Sequence, residues 1–494
     1  MTEQPTRIIA GPFNRVEGDL EIHLDVRDGA VARAEVNSPL FRGFEPMMLG
    51  KPPQDALTIV PRICGICSIS QSVAAAAALR EAMGATPAPM GARAAALIHG
   101  AENLADHITH FHLFFMPDFA RPAYEGRPFH ARALDRFGAG RTGAPGGRGA
   151  AAALEARARL LHVMGILAGK WPHTLSIQPG GVTRAPSSRD RIQLLGAIRG
   201  ARAWAERELF GGPLEAFAAL ETPEALDAWA GAPGGGDARL FLEAAEDAGL
   251  AALGRGPDLF LSFGAHDGPD GPIFAPGLFD RGRLRPRKAA EIADSITEDP
   301  SHAWLLGRAA AHPWDGDTRP DPEMPAPAYS WCKAPRIAGR AAETGALARQ
   351  AVDGHPLAMA LAAGGADARG RVVGRLLEIA RLIPALETLC AALDPAERFM
   401  AEPPAMPRSA RGQGLTEAAR GALGHWLRVE DGRVAGYQII APTTWNFSPR
   451  DALGAPGPLE AALEGAPVRD GEREPLAVQH IVRSFDPCMV CTVH

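Results

Sequence analysis

Several things are scarce in this sequence of 494 residues, and each scarcity removes a class of function. Cysteine is one: six in so long a chain cannot make a disulfide scaffold, and thiols paired along a chain in a reducing compartment more often bind metal or do redox chemistry. Basic excess is another. The formal charge is -6 and no Lys/Arg stripe stands out, which argues against nucleic acid as the main partner. The most apolar run, Val73 to Leu79, falls far short of a membrane span. The start, MTEQPTRIIAG, lacks the charged and apolar regions of a signal peptide, so the expected location is cytoplasmic, with any export carried by a partner. No repeat of fixed period, coiled-coil heptad or clean linker divides the chain.

What is present is mixed. Alternating runs at Leu20 to Val26 and Val31 to Val36 meet at Asp28-Gly29, and HWLRVEDGRVAGYQII turns at Asp431-Gly432; both read as hairpins. Between them, Ser72 to Met83, Ala92 to Met116, Ala150 to Ala168, Ser188 to Leu209 and Gly345 to Leu393 have helical composition. GAGRTGAPGGRGA and DGDTRPDPEMPAPAYS read as surface connections. The expected fold is a large, predominantly helical α+β single domain: a β-rich part over 1–60, a helical body over 61–400 with a central long-helix bundle, and a C-terminal part over 401–494 that completes a metal site.

The metal site is suggested by four cysteines in two C-x-x-C pairs, Cys64/Cys67 in PRICGICSIS and Cys488/Cys491 in DPCMVCTVH. Two intervening residues let both sulfurs reach one ion, and Gly65 eases the turn. Four thiolates suit zinc, an iron-sulfur centre, nickel or copper(I). Structural zinc usually draws on pairs much closer in sequence, and no compact βαβ unit supports a thioredoxin-like role.

RICGIC with DPCMVCTVH resembles the large subunit of nickel-iron hydrogenases. RVEGDLEI, FRGFE, GKWPHTLSIQPGGVT, YSWCKAPR, ARGALGHWLRVEDGRVAGYQIIAPTTWNFSPRD and RSFDPCMVC resemble further family segments, in the family's order. The resemblance implies a nickel held by four thiolates. Cys64 and Cys488 would be terminal ligands, while Cys67 and Cys491 would bridge to an iron carrying one carbon monoxide and two cyanides. Hydrogen would be split heterolytically, with Cys488 taking the proton and Glu17 relaying it. Arg420 would lie over the open metal face, held by Asp106 and Asp486. Thr443, beside Ala441 and Pro442, would donate to a cyanide. Glu45, the Ile439 carbonyl and His494 would hold magnesium or a similar ion that clamps the tail. Read without the resemblance, Glu17 is a surface carboxylate ending a strand, Arg420 a helix-end residue, Asp106 a solvated charge, and Thr443 ordinary turn chemistry.

Some positions depart from the commonest family pattern. Gln71 stands where histidine is usual, Asp19 where VEGH is common, and Ala419 where proline usually precedes the arginine. Ile66 and Phe114 replace smaller residues on the expected gas route. Together these resemble the regulatory, hydrogen-sensing branch. The stop at His494 is expected there, since most members carry a tail peptide that is removed after nickel insertion; a processed chain would stop at the same place. Cys332 and Cys390 are too few and scattered for an iron-sulfur cluster, so a cluster-bearing small subunit is implied, and through it a histidine kinase, besides maturation proteins. The alternatives are a respiratory uptake hydrogenase and a noncatalytic, zinc-stapled subunit of a redox complex.

Overall fold

The computed structural model describes residues 6–139, 146–268, 270–307 and 309–494. Both Asp-Gly hairpins form. Near the N-terminus β1 (Thr6–Ala10), β2 (Glu21–Arg27) and β3 (Ala30–Asn37) make an antiparallel sheet in that order. Asp28 and Gly29 both have positive φ, 52° and 71°, as a two-residue turn matching strand twist requires.

Four long helices form the expected bundle. α1 (Ser68–Met83) lies beside it; its members are α2 (Pro89–Thr109), α3 (Arg148–Ala168), α4 (Ser188–Trp204) and, beyond the short α5 (Ala346–Val352), α6 (Ala368–Ala391). Successive members pack in a ring, α2 on α3, α3 on α4, α4 on α6 and α6 back on α2. Their starts are legible in the sequence: Pro89 opens α2, Ser187 and Asp190 form a capping box on α4, and the Asp367 side chain accepts from Gly370 N–H to cap α6.

Three helical expectations ran too long. The Ser188 to Leu209 stretch leaves α-geometry at Ala205, where a π-helical turn runs to Phe210. Gly345 to Leu393 is three helices, because Gly354 and Pro356 interrupt the first pair and Gly364 and Gly365, both at positive φ, end the second. Ala92 to Met116 leaves α-geometry at His110, where a π-helical turn runs to Phe115. The stretch DGDTRPDPEMPAPAYS is largely irregular, as expected; much of GAGRTGAPGGRGA lies outside the described residues.

A C-terminal sheet completes the layers: β4 (Ala410–Ala418), β5 (Gly421–Glu430) and β6 (Arg433–Ile440) pair antiparallel in order. α1 is pressed between this sheet and the bundle. Glycines allow the approach, since a Cβ on Gly414 would stand 1.9 Å from the Ala74 carbonyl and one on Gly412 2.0 Å from that of Ala78. The chain ends in α7 (Pro442–Asn446), α8 (Leu476–Ser484) and α9 (Met489–Thr492). No described helix is long and apolar enough to cross a membrane.

Candidate metal centre

The two cysteine pairs meet at one point. Cys67 is the residue from which α1 springs, and Cys488 the one from which α9 springs. All four sulfurs lie within 4.8 Å of one another and all are buried. Cys64 and Cys488 are 3.5 Å apart, while Cys67 and Cys488 each stand 3.2 Å from Cys491. Four sulfurs about a tetrahedral ion at ~2.3 Å would be roughly 3.8 Å apart, so the cage has the size a metal needs.

Its electrostatics point the same way. Contact with the Cys488 thiol lets Cys64 lose its proton well below the usual range, whereas the same crowding holds Cys67 well above it, and burial does so for Cys491. The protein alone therefore supports few of the four negative charges. A soft cation would balance the rest, and a buried set of four sulfurs fits a nickel-iron centre.

Glu17 is bound into this cage by its backbone. Its N–H donates to the Pro487 carbonyl at 3.3 Å and its carbonyl accepts from Met489 N–H at 2.7 Å, on either side of Cys488. It is half-buried rather than a surface group, and burial, then the nearby Cys64, raises its pKa, so that it holds a proton more readily than a free carboxylate. Asp19, by contrast, is exposed.

Arg420 follows Ala419 at the tight connection between β4 and β5, not at a helix end. Its guanidinium donates to Asp106 Oδ2 at 2.6 Å and Oδ1 at 3.3 Å, to Asp486 Oδ1 at 3.0 Å and to the Asp486 carbonyl at 2.9 Å. Asp106 is only 4% exposed, so its reading as a solvated charge is overturned. Burial alone would weaken the Arg420 charge, but the two aspartates hold it well above its ordinary range. Burial pushes Asp106 up to about 7, yet both its oxygens face the guanidinium fork, and it pairs there as a carboxylate. Asp486 holds a left-handed backbone, φ 59°, two residues before Cys488.

Thr443 sits in the first turn of α7, after Ala441 and Pro442, and its hydroxyl oxygen accepts from Cys488 N–H at 3.3 Å. His494 donates through Nε2 to the Ile439 carbonyl at 2.7 Å, with Glu45 Oε1 3.7 Å away, and Glu45 Oε1 accepts from Ile439 N–H at 2.7 Å. Against burial, Lys333 and His494 pull Glu45 down to about 2. One carboxylate, one carbonyl and one imidazole thus converge, a set compatible with a partly hydrated divalent ion. Ile66 lies half-buried between the first two cysteines, and its N–H donates to Cys64 Sγ at 3.3 Å. Phe114, in the π-turn, is half-buried with its carbonyl accepting from Arg15 at 3.0 Å.

The sequence pattern of nickel-dependent hydrogenases matches residues 42–122 and 248–494. The chain belongs to the nickel-dependent hydrogenase family. The periplasmic [NiFeSe] hydrogenase large subunit of Desulfomicrobium baculatum is 30% identical over 99% of this chain and 95% of its own length. The uptake hydrogenase large subunit of Rhodobacter capsulatus is 27% identical, covering 99% and 95%, and the hydrogenase-2 large chain of Escherichia coli (strain K12) is 26% identical, covering 99% and 97%. Among solved structures, the reduced Ni-Fe-Se hydrogenase of D. vulgaris Hildenborough superposes with a TM-score of 0.83 at 27% identity, covering 99% of this chain and 100% of that one. In the present chain all four cage positions are cysteine sulfur.

Sequence reasoning missed several neighbours of the centre. Arg42 bonds the Ile63 carbonyl, just before Cys64, and the Val490 carbonyl, between Cys488 and Cys491; it stands in FRGFE, which is its only signal. His425 bonds Gln71 Oε1 at 2.8 Å and Tyr437 at 3.0 Å, and burial holds it down to about 3, hence neutral. Nothing local distinguishes a strand histidine of this kind.

Proposed function

We propose that this chain is the hydrogen-activating large subunit of a nickel-iron hydrogenase that works with an iron-sulfur small subunit. The observation that carries the reading is the buried four-sulfur cage with Arg420 and its two aspartates alongside. Cys64, Cys67, Cys488 and Cys491 would hold nickel, and Cys67 and Cys491 would share an iron bearing carbon monoxide and cyanides. When bound, that centre supplies the redox-active Lewis acid at which hydrogen is polarised and cleaved. The chain's own part is to place charges and move the proton. The Cys488 sulfur is positioned to take the proton, and Glu17, locked to both neighbours of Cys488, is the next acceptor outward. Arg420 keeps a fixed positive charge in a dry site, where it counts for far more than in water. The Thr443 hydroxyl, whose oxygen accepts from Cys488 N–H, would donate its hydrogen to a cyanide of the bound centre. His494, Glu45 and Ile439 anchor the C-terminal segment, with magnesium or a similar ion as the proposed occupant.

Within this activity, an uptake enzyme feeding electrons to respiration is favoured by the names of the relatives, which are NiFeSe, uptake and hydrogenase-2 types. A regulatory hydrogenase that signals through a histidine kinase in the cytoplasm is the second reading. Its support is the trio Gln71, Ile66 and Phe114, of which Ile66 lies in the cysteine loop and Gln71 one turn beyond Cys67. Hydrogen-dependent dye reduction by the purified heterodimer, with and without air, separates them. Fast turnover abolished by oxygen supports the uptake enzyme, and slow turnover indifferent to oxygen supports the sensor.

A further inference from the structure

A fully buried carboxyl group that the proposed reaction does not use lies under the first cysteine pair. α1 starts directly after Cys67, and no side chain at its N-terminal boundary caps it. The first N–H groups of a helix need acceptors from elsewhere. Glu102, on α2, supplies them: Oε1 accepts from Ile69 N–H at 2.8 Å and Oε2 from Ser70 N–H at 2.9 Å. Oε1 also accepts from the Trp171 indole at 2.9 Å, and the Ser68 hydroxyl lies 3.4 Å from it. Ser68 Oγ in turn accepts from His173 N–H at 3.3 Å, and the His173 ring bonds the Pro61 carbonyl at 2.9 Å. One side chain therefore joins α2, the first turn of α1 and the 171–173 loop, which is tied back to the residues before Cys64.

We propose that Glu102 is a positioning residue for the metal centre: its carboxyl group fixes the first turn of α1 and thereby the Cys64–Cys67 loop and its two sulfurs. The proposal rests on the hydrogenase reading above.

The valences close without any charge. Burial pushes Glu102 up to about 8, so near neutrality it carries a proton, and Ser70 Oγ, 3.0 Å from Oε2, is the neighbour able to receive it. The Ser70 hydrogen then passes to His99 Nε2 at 3.2 Å, an imidazole that burial holds down to about 4 and hence neutral. Each N–H around the carboxyl group has an acceptor, and the acid proton has one as well. A glutamine would keep the acceptor oxygen and the donor to Ser70, but its nitrogen could not accept from Ser70 N–H. A leucine would fill the space and remove every bond.

The test compares wild type, Glu102→Gln and Glu102→Leu in the holoenzyme by infrared spectroscopy of the carbon monoxide and cyanide bands, by nickel content, and by amide hydrogen exchange of residues 67–71. Glu102→Gln should keep its nickel but show displaced bands, faster exchange at Ser70 and a modestly lower melting temperature. Glu102→Leu should lose both amide protections and about tenfold or more in nickel affinity. Unchanged exchange and bands in Glu102→Gln would overturn the proposal, even if Glu102→Leu failed to fold. A wild type that lacks the bands yet shows the protection and its loss would leave this positioning role standing and remove the hydrogenase reading instead.

Discussion

Arg420 carries the strongest prediction at the scale of single residues. Lysine keeps one positive charge but cannot span Asp106 and Asp486 with a planar fork, so the charge moves off its fixed position. Arg420→Lys should keep nickel and lose about 10²-fold or more in kcat for hydrogen oxidation. Glu17→Gln preserves shape and the backbone bridge to Cys488 while removing the proposed proton acceptor. It should lose roughly 10²- to 10⁴-fold in dye-coupled hydrogen oxidation with unchanged infrared bands; near-wild-type turnover would move the relay elsewhere. The cysteines were legible because paired soft ligands have few other uses in such a chain, and motif resemblance placed Arg420, Asp106 and Asp486. Residue type alone misread Arg420 and Asp106, because a charged side chain is usually solvated, and only the fold shows a partner that makes burial tolerable. Glu102 and Lys333 were not legible for the same reason: their partners lie in distant segments.

Among the elements, the contact of α1 with β4 should tolerate least. Gly414→Ala would drive a methyl group into the Ala74 carbonyl on α1, so the helix carrying Cys67 must shift. The expected cost is about 1–3 kcal/mol of stability together with lower nickel content, read by thermal melts and metal analysis. A second test concerns Glu460, in the short helix Pro458–Leu463, whose Oε1 accepts from Val36 N–H of β3 at 3.0 Å and from the Tyr329 hydroxyl at 2.8 Å. Burial pushes this carboxyl group up from 4.5 to about 7. The folded state therefore binds its proton more tightly than the unfolded chain. That stabilisation is full below pH 4.5 and lost as pH rises through 7, a change of about 3 kcal/mol. Glu460→Gln should flatten this part of the fall in melting temperature between pH 5 and 8. Hairpins with Asp-Gly turns and capped helices could be read in advance, since their signals are local. The π-turn after α2 and the split of the 345–393 stretch follow from packing and glycine placement, which periodicity blurs.

At the scale of the whole molecule, the chain closes on itself through its function. Cys64 and Cys488 are far apart in sequence, and the bundle, the C-terminal sheet and the Glu17 bridge together bring their sulfurs to 3.5 Å. Single-domain α+β architecture was readable from strands near both ends and helices between them. The route by which the ends meet was not, because it depends on contacts between segments that carry no mutual sequence signal. The central claim is that this closure builds a nickel-iron centre, and one measurement reaches it most directly: an infrared spectrum of the purified heterodimer, with nickel and iron determined on the same sample. One nickel and one iron at the four-cysteine site, with bands from one carbon monoxide and two cyanides, are expected. Zinc in the cage with no such bands, in protein matured in a hydrogenase-competent host, would contradict the claim.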